Sequence, residues 1–234
     1  MSSKLLFQFK ASQLTGPRQF QNDSFYVGKR WLVVADGAGS HASARDVADR
    51  VVDHYGDLAQ TAPARSIGDA LASAPKDLGT TLSHVGLEDA STVVAALLDD
   101  ADQLWLSSVG DSRLLVVREG QIIATNALHN AKADFLLAHN NTLPPFGADA
   151  VLTRYIAAGE GYPADTFSLQ AQADDVVLLL SDGVEGAVDL DHIRSTVEAN
   201  GLDAEAINRD IMATASKNGL VDNATCVVAR ITRG

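Results

Sequence analysis

Cysteine is nearly absent from this 234-residue chain, which carries only Cys226. A single thiol cannot close an internal disulfide, so stability must come from a core, and a reducing compartment suits the chain. Cys226 lies within an apolar alternation with no basic neighbour, the setting of a core thiol and not of a reactive one. Long hydrophobic runs are also missing. None approaches the roughly 20 residues of a membrane span. The N-terminal MSSKLLFQFKAS has too short an apolar stretch for a signal peptide, so the chain is expected to be cytoplasmic. Positive charge is scarce: 18 Lys and Arg stand against 30 Asp and Glu, a formal net charge of −12. Nucleic acids and anionic membranes need clustered cations, so neither is an expected partner. With 46% apolar residues and no repeat, low-complexity tract or linker, residues 1–234 read as one domain and a monomer.

What is present is a series of short apolar or β-branched runs. Leu5 to Phe9, Phe25 to Val27, Trp31 to Ala35, Thr92 to Leu98, Leu104 to Val109, Leu114 to Val117, Val176 to Leu180 and Thr225 to Ile231 read as strands. Helical spacing covers Ala44 to Leu58, with Val47, Val51, Val52 and Tyr55 on one face, and Ile67 to Val85, where Pro75 is expected to interrupt. It returns at His192 to Ala199 and Ala204 to Lys217. Polar turns at Asp99 to Gln103 and Arg118 to Gln121 separate consecutive strands, which implies hairpins and antiparallel pairing. Asn126 to Thr166, with Pro144, Pro145 and Pro163, reads as a long irregular excursion. Strands and helices arrive in blocks, so the fold class is α+β, with antiparallel sheets and helices packed outside.

Four of the runs end in an aspartate: Asp36 in VVADGAGSH, Asp111 in SSVGDSR, Asp182 in LLLSDGVEG and Asp222 in VDNATCVVARI. Carboxylates at strand ends can converge on one rim, where a hard metal ion finds its oxygen ligands. Each alone is an ordinary turn residue; their joint occurrence points to a cation site. A competing pattern, Gly37 to Ala42, matches the relaxed dinucleotide fingerprint G-x-G-x-x-A. It would need a second parallel strand ending in an acid, and a helix pair follows instead.

From PRQFQNDSFYV through VVADGAGSH, STVVAALL, VGDSRLLVV and VVLLLSDGVEG to DNATCVVARI, the chain resembles the type 2C, or PPM, metal-dependent protein phosphatases in compact bacterial form. The resemblance implies a central antiparallel β-sandwich flanked by helices, a four-layer αββα arrangement. It implies hydrolysis of phosphoserine and phosphothreonine at two Mn2+ or Mg2+ ions with a possible third. Asp36 would bridge both metals, Gly37 would add its carbonyl, and Asp182 with Asp222 would complete the first. Asp23 would hold water around the second metal, while Asp111 with Asp182 would serve the auxiliary ion. Arg18, five residues before Asp23, would grip the substrate phosphate as a bidentate fork. His41, five residues after Asp36, would protonate the leaving group. Implied partners are phosphorylated proteins and a cognate Ser/Thr kinase pathway.

The departures from the family pattern are local. Asn22 stands before Asp23, Ala42 to Arg45 replace a Gly-Glu pair, and Leu128, His129 and Asn130 replace a DHS element. The segment 126–166 corresponds to the variable flap. His129, His139, Asp99, Asp100, Asp174 and Asp175 read as solvated turn residues, and Trp31 and Trp105 as core. A catalytically silent phosphoprotein-binding member is the alternative function. The complete set Asp36, Asp182 and Asp222 argues against it.

Overall fold

The central apolar runs fold as strands because the chain buries both of their faces. Successive side chains of a strand point to opposite faces, and Trp31 to Ala35 are all buried: Trp31, Val33 and Ala35 on one side, Leu32 and Val34 on the other. The structure, a computed structural model, describes residues 4–39, 41–61, 67–139 and 142–234. The elements are β1 (Leu5–Leu14), β2 (Asp23–Val27), β3 (Trp31–Ala38), α1 (Ser43–Thr61), α2 (Ile67–Val85), β4 (Ala90–Ser91), β5 (Val93–Leu98), β6 (Gln103–Val109), β7 (Arg113–Arg118), β8 (Gln121–Thr125), α3 (Ala131–Ala138), β9 (Ile156–Ala157), β10 (Glu160–Gly161), β11 (Asp165–Gln170), β12 (Val176–Leu180), α4 (Asp182–Glu185), α5 (Leu190–Asn200), α6 (Ala204–Asn218) and β13 (Ala224–Arg233).

All the strand pairings are antiparallel. One sheet runs β1-β13-β12-β7-β8; the other runs β10-β9-β4-β3-β5-β6-β11, with β2 also on β3. Three apolar layers hold them. Between the sheets, Leu32, Val34 and Leu106 meet Leu114, Val177 and Val227. Tyr55, Leu71 and Leu78 seat α1 and α2 on the outer face of the second sheet. Ile193, Ile207 and Ile211 seat α5 and α6 on the first, against Leu178, Cys226 and Val228. The expected four-layer αββα architecture is therefore the one observed. Cys226 is fully buried and its thiol is pushed up to about 12 by that burial, which keeps it inert.

Several local expectations are corrected. Pro75 does not interrupt its helix, which runs unbroken from Ile67 to Val85. The 157–164 segment packs along it: Gly159 and Ala164 donate to the carbonyls of Gly79 (2.9 Å) and Ala72 (3.2 Å). Gly161 sits so close that a Cβ there would lie 2.1 Å from the Pro75 carbonyl oxygen, so only glycine fits. The irregular excursion contains α3, β9 and β10, and two edge strands lie outside the apolar runs: β8, the second arm of the hairpin expected at Arg118 to Gln121, and β11, which was not expected.

Asp99, Asp175 and His129 are buried, not solvated. Asp99 accepts the Trp105 indole N–H (3.0 Å) and two backbone N–H groups. Asp175 takes a bidentate fork from Arg118 (2.7 and 2.8 Å). Asp99 and Asp175 thus have the partners that their desolvation demands. Asp100, Asp174 and His139 are exposed as expected. Trp31 is core, whereas Trp105 is half-buried at its edge.

Candidate metal centre

Antiparallel pairing brings the aspartates to one rim. Asp36 lies near the C-terminal end of β3, directly across from Asp23 at the start of β2. Asp182 follows β12 and opens α4, Asp222 precedes β13, and Asp111 sits in the turn between β6 and β7. A strand leaving this rim beside one arriving at it places all five carboxylates at the same edge of the sandwich.

Close backbone approaches make this possible. A Cβ on Gly37 would lie 2.4 Å from the Ala44 carbonyl oxygen, and one on Gly183 would lie 2.0 Å from that of Asn223. Asp36 is fixed at both ends of its peptide. Its N–H donates to Thr92 Oγ1 (3.2 Å), and its carbonyl accepts from the Thr92 N–H (2.9 Å) and Ser91 Oγ (3.0 Å). Asp23 Oδ2 accepts from Ser181 Oγ (2.8 Å) and Thr225 Oγ1 (2.6 Å). Sequence reasoning assigned no role to these hydroxyls, although Ser181 and Thr225 adjoin two of the aspartate motifs.

Buried amides hold the loops. Asn223 accepts from the Asn22 N–H (2.7 Å) and donates to the carbonyls of Thr15 and Phe20, so the Arg18 loop is tied to the Asp222 turn. Asn22 donates to the carbonyls of Gly39 and His41, closing the turn after Asp36. Arg45 donates to the Asp23 carbonyl (2.6 Å) and pairs with Asp49 (2.8 Å). Arg18 is half-exposed and its Nη2 reaches Asp222 Oδ2 at 2.5 Å. His41 is exposed beside the start of α1. Ser40, within the motif read from the sequence, lies outside the described residues. The dinucleotide alternative fails: the strands that follow α1 and α2 pair antiparallel to β3.

The carboxyls crowd one another. Burial, with the Asp182 charge opposing two hydroxyl hydrogen bonds, raises Asp23 from 3.8 to about 6. Burial and then Asp182 raise Asp111 to about 7. Asp36 is held well above its ordinary value by burial and by Asp182, Asp23 and Asp111. Asp182 is raised by burial, with Asp222 adding to it while a hydrogen bond with Asp36 opposes it. Carboxylates gathered this way favour protonation unless a cation compensates them.

Two further observations fit a hard cation. Asp23 Oδ1 and Asp182 Oδ1 are buried with no hydrogen-bond partner, an arrangement that calls for a ligand. The donor set is oxygen only, which suits Mn2+ and Mg2+. Among the described residues, no three acidic, histidine or cysteine side chains already stand around one point as ligands. A cation held here would need the carboxyls to rotate and would compete with Arg18 for Asp222.

Comparison with solved structures decides the fold. The catalytic domain of the serine/threonine phosphatase PstP, solved in complex with two manganese ions, superposes with a TM-score of 0.84 at 25% identity, covering 98% of this chain and all of that one. The fold is that of the PPM-type phosphatases. A second PstP structure, from Mycobacterium tuberculosis, gives a TM-score of 0.86 at 23% identity over 96% of this chain and 98% of that one. PppA, described as a key regulatory component of the type VI secretion system in Pseudomonas aeruginosa, shares the PPM fold at a TM-score of 0.78 and 22% identity, with 99% of each chain covered. In sequence, the serine/threonine protein phosphatase PstP of Mycobacterium tuberculosis is 28% identical over 227 residues, covering 92% of this chain. The chain spans 43% of that relative's length. No protein-family model matches. Among the described residues, no helix of this PPM fold is long and apolar enough to cross a membrane.

Proposed function

We propose that the chain is a metal-dependent phosphoserine/phosphothreonine protein phosphatase, carried by one domain spanning 1–234. The observation that carries this reading is the rim of Asp23, Asp36, Asp111, Asp182 and Asp222, with two buried oxygens lacking partners. Asp36, the Gly37 carbonyl, Asp182 and Asp222 would hold two Mn2+ or Mg2+ ions, with Asp23 around the second, and Asp111 with Asp182 would hold an auxiliary third. A bound pair of divalent cations makes water acidic enough to attack phosphorus near neutral pH and offsets charge on the phosphoryl oxygens.

The chain's own residues do the rest. Arg18, on a half-exposed loop, can leave Asp222 and present its fork to the substrate phosphate. Exposed His41, just before α1, would deliver a proton to the departing serine or threonine oxygen. Thr92 and Ser91 fix the Asp36 backbone, and Ser181 and Thr225 fix the Asp23 carboxyl, by hydrogen bonds, so this part of the rim is ordered before substrate arrives.

Purified chain supplied with Mn2+ is expected to release phosphate from a phosphothreonine peptide and to stop on addition of EDTA. Activity undiminished by EDTA would sink the metal-dependent mechanism. Calorimetric Mn2+ binding without hydrolysis of any phosphopeptide would favour the silent phosphoprotein-binding reading. Arg18→Ala is expected to raise KM about 10-fold with a smaller change in kcat, because it removes a ground-state phosphate contact and leaves the cation ligands in place. Steady-state kinetics checks this, and unchanged KM and kcat reject the role. We place the protein, as a monomer, opposite a Ser/Thr kinase in a cytoplasmic signalling pathway, with phosphorylated proteins as substrates and neither nucleic acid nor membrane as partner.

A further inference from the structure

Asp111 is joined to the 126–166 segment through one buried imidazole. His129 is 5% exposed. Its Nδ1 accepts the Gly110 N–H at 3.0 Å, and its own backbone N–H returns a bond of 3.0 Å to the Gly110 carbonyl. Because Nδ1 accepts, the ring proton is on Nε2, which donates to Asp165 Oδ2 at 2.9 Å. Asp165 Oδ1 in turn accepts from Arg154 (2.7 Å), which also donates to the Pro163 carbonyl (2.6 Å). The adjacent Asn130 caps α3 through the Ala133 N–H (3.0 Å) and reaches Asp111 Oδ2 with its amide (3.5 Å).

Gly110 shows why such a clamp is needed. Its φ of +98° suits glycine alone, and a Cβ there would lie 2.5 Å from Thr92 Cγ2. The peptide leading into Asp111 thus has an unusual conformation, bounded by Thr92 on one side and held by His129 through two hydrogen bonds. Nothing else in the proposed mechanism uses His129, Asp165 or Arg154.

We propose that His129 is a positioning residue: it sets the Asp111 carboxyl for the auxiliary cation and couples that site to the 126–166 segment through Asp165. This rests on the reading of Asp111 as an auxiliary ligand. Groups that orient a ligand indirectly typically alter metal affinity by about 10- to 100-fold when removed.

The test is calorimetric titration of the full chain with MnCl2 for the unmodified protein and for His129→Ala, His129→Asn and His129→Gln. The Asn amide can occupy the Nδ1 position facing Gly110, whereas the Gln amide reaches only the Nε2 position facing Asp165. We expect His129→Ala to weaken the weakest Mn2+ site about 10-fold or more and to leave the tighter sites unmoved. His129→Asn should restore most of that affinity and His129→Gln should not, a pattern that lost packing alone would not produce. Unchanged weakest-site affinity in His129→Ala overturns the proposal. If that variant does not fold, equal weakest-site affinity in the Asn and Gln variants overturns it. Only two sites in the unmodified chain would overturn it as well. No Mn2+ binding at all would instead overturn the metal-centre reading beneath it.

Discussion

Asp36→Asn is expected to abolish hydrolysis and, in EDTA, to make the folded chain more stable. The two effects have one cause. Burial and the charges of Asp182, Asp23 and Asp111 push the Asp36 carboxyl well above its ordinary range. At neutral pH, folding without a cation therefore works against an aspartate that is ionised when unfolded. Asparagine keeps the size and hydrogen-bonding of the side chain and removes that charge, for a gain of about 1 to 3 kcal/mol. It also removes the ligand proposed to bridge both cations, so phosphate release should fall by about 10³-fold or more. Phosphate release with Mn2+ and the urea midpoint in EDTA give the two readings. Retained activity, or a lower midpoint, contradicts the account.

The second large effect is a stability slope whose sign the cation reverses. Asp23 and Asp111 rise from 3.8 to about 6 and about 7, each mainly through burial. A carboxyl with a raised folded-state pKa binds more protons folded than unfolded. Its contribution is fully present below about pH 4 and is lost as pH climbs through 6 and 7. The metal-free chain should therefore weaken across that window, by an amount on the order of a few kcal/mol. Cations bind the ionised form, so saturating Mn2+ should stabilise the chain progressively more from pH 5 to pH 8. At 100-fold over Kd each site contributes about 2.7 kcal/mol. Urea melts with and without Mn2+ at each pH test this; a Mn2+ effect that is flat or shrinks with pH contradicts it.

Much of the architecture was legible because burial of both faces writes itself as apolar runs. Val176 to Leu180 and Ile67 to Val85 fold with the boundaries read from the sequence. The α+β class followed from blocks of strands and helices, and the αββα layering from the resemblance to the PPM phosphatases. The strands outside the apolar runs, β8 and β11, lie at sheet edges, where half the side chains face solvent and the apolar signal fades. The same limit hid α3, an eight-residue helix with no buried residue.

At the site, the carboxylates were legible because aspartates at strand ends have few other reasons to recur together. Their supports were not. Asn22, Asn126, Asn223 and His129 have turn-like compositions in sequence, and only distant partners make them buried. Asn126 shows the point: it accepts from Leu114 N–H (2.8 Å) and donates to the Ser112 carbonyl (2.9 Å), standing in for a missing neighbour strand. Arg45, where a Gly-Glu pair would be the family pattern, supplies its own contact to the Asp23 carbonyl.

The pairing of β1 with β13, ten residues in register from Leu5↔Arg233 to Leu14↔Ala224, sets an order of events during synthesis. Asp222 and the Thr225 hydroxyl that orients Asp23 reach the rim only once β13 has inserted between β1 and β12. That contact spans most of the chain, so loop closure makes it a late and slow step. On the ribosome, strands β1 to β12 would wait with an unfilled slot and an incomplete ligand set. Activity of the kind proposed for this rim would have to wait for β13, so competence of the site would report that the sandwich has closed.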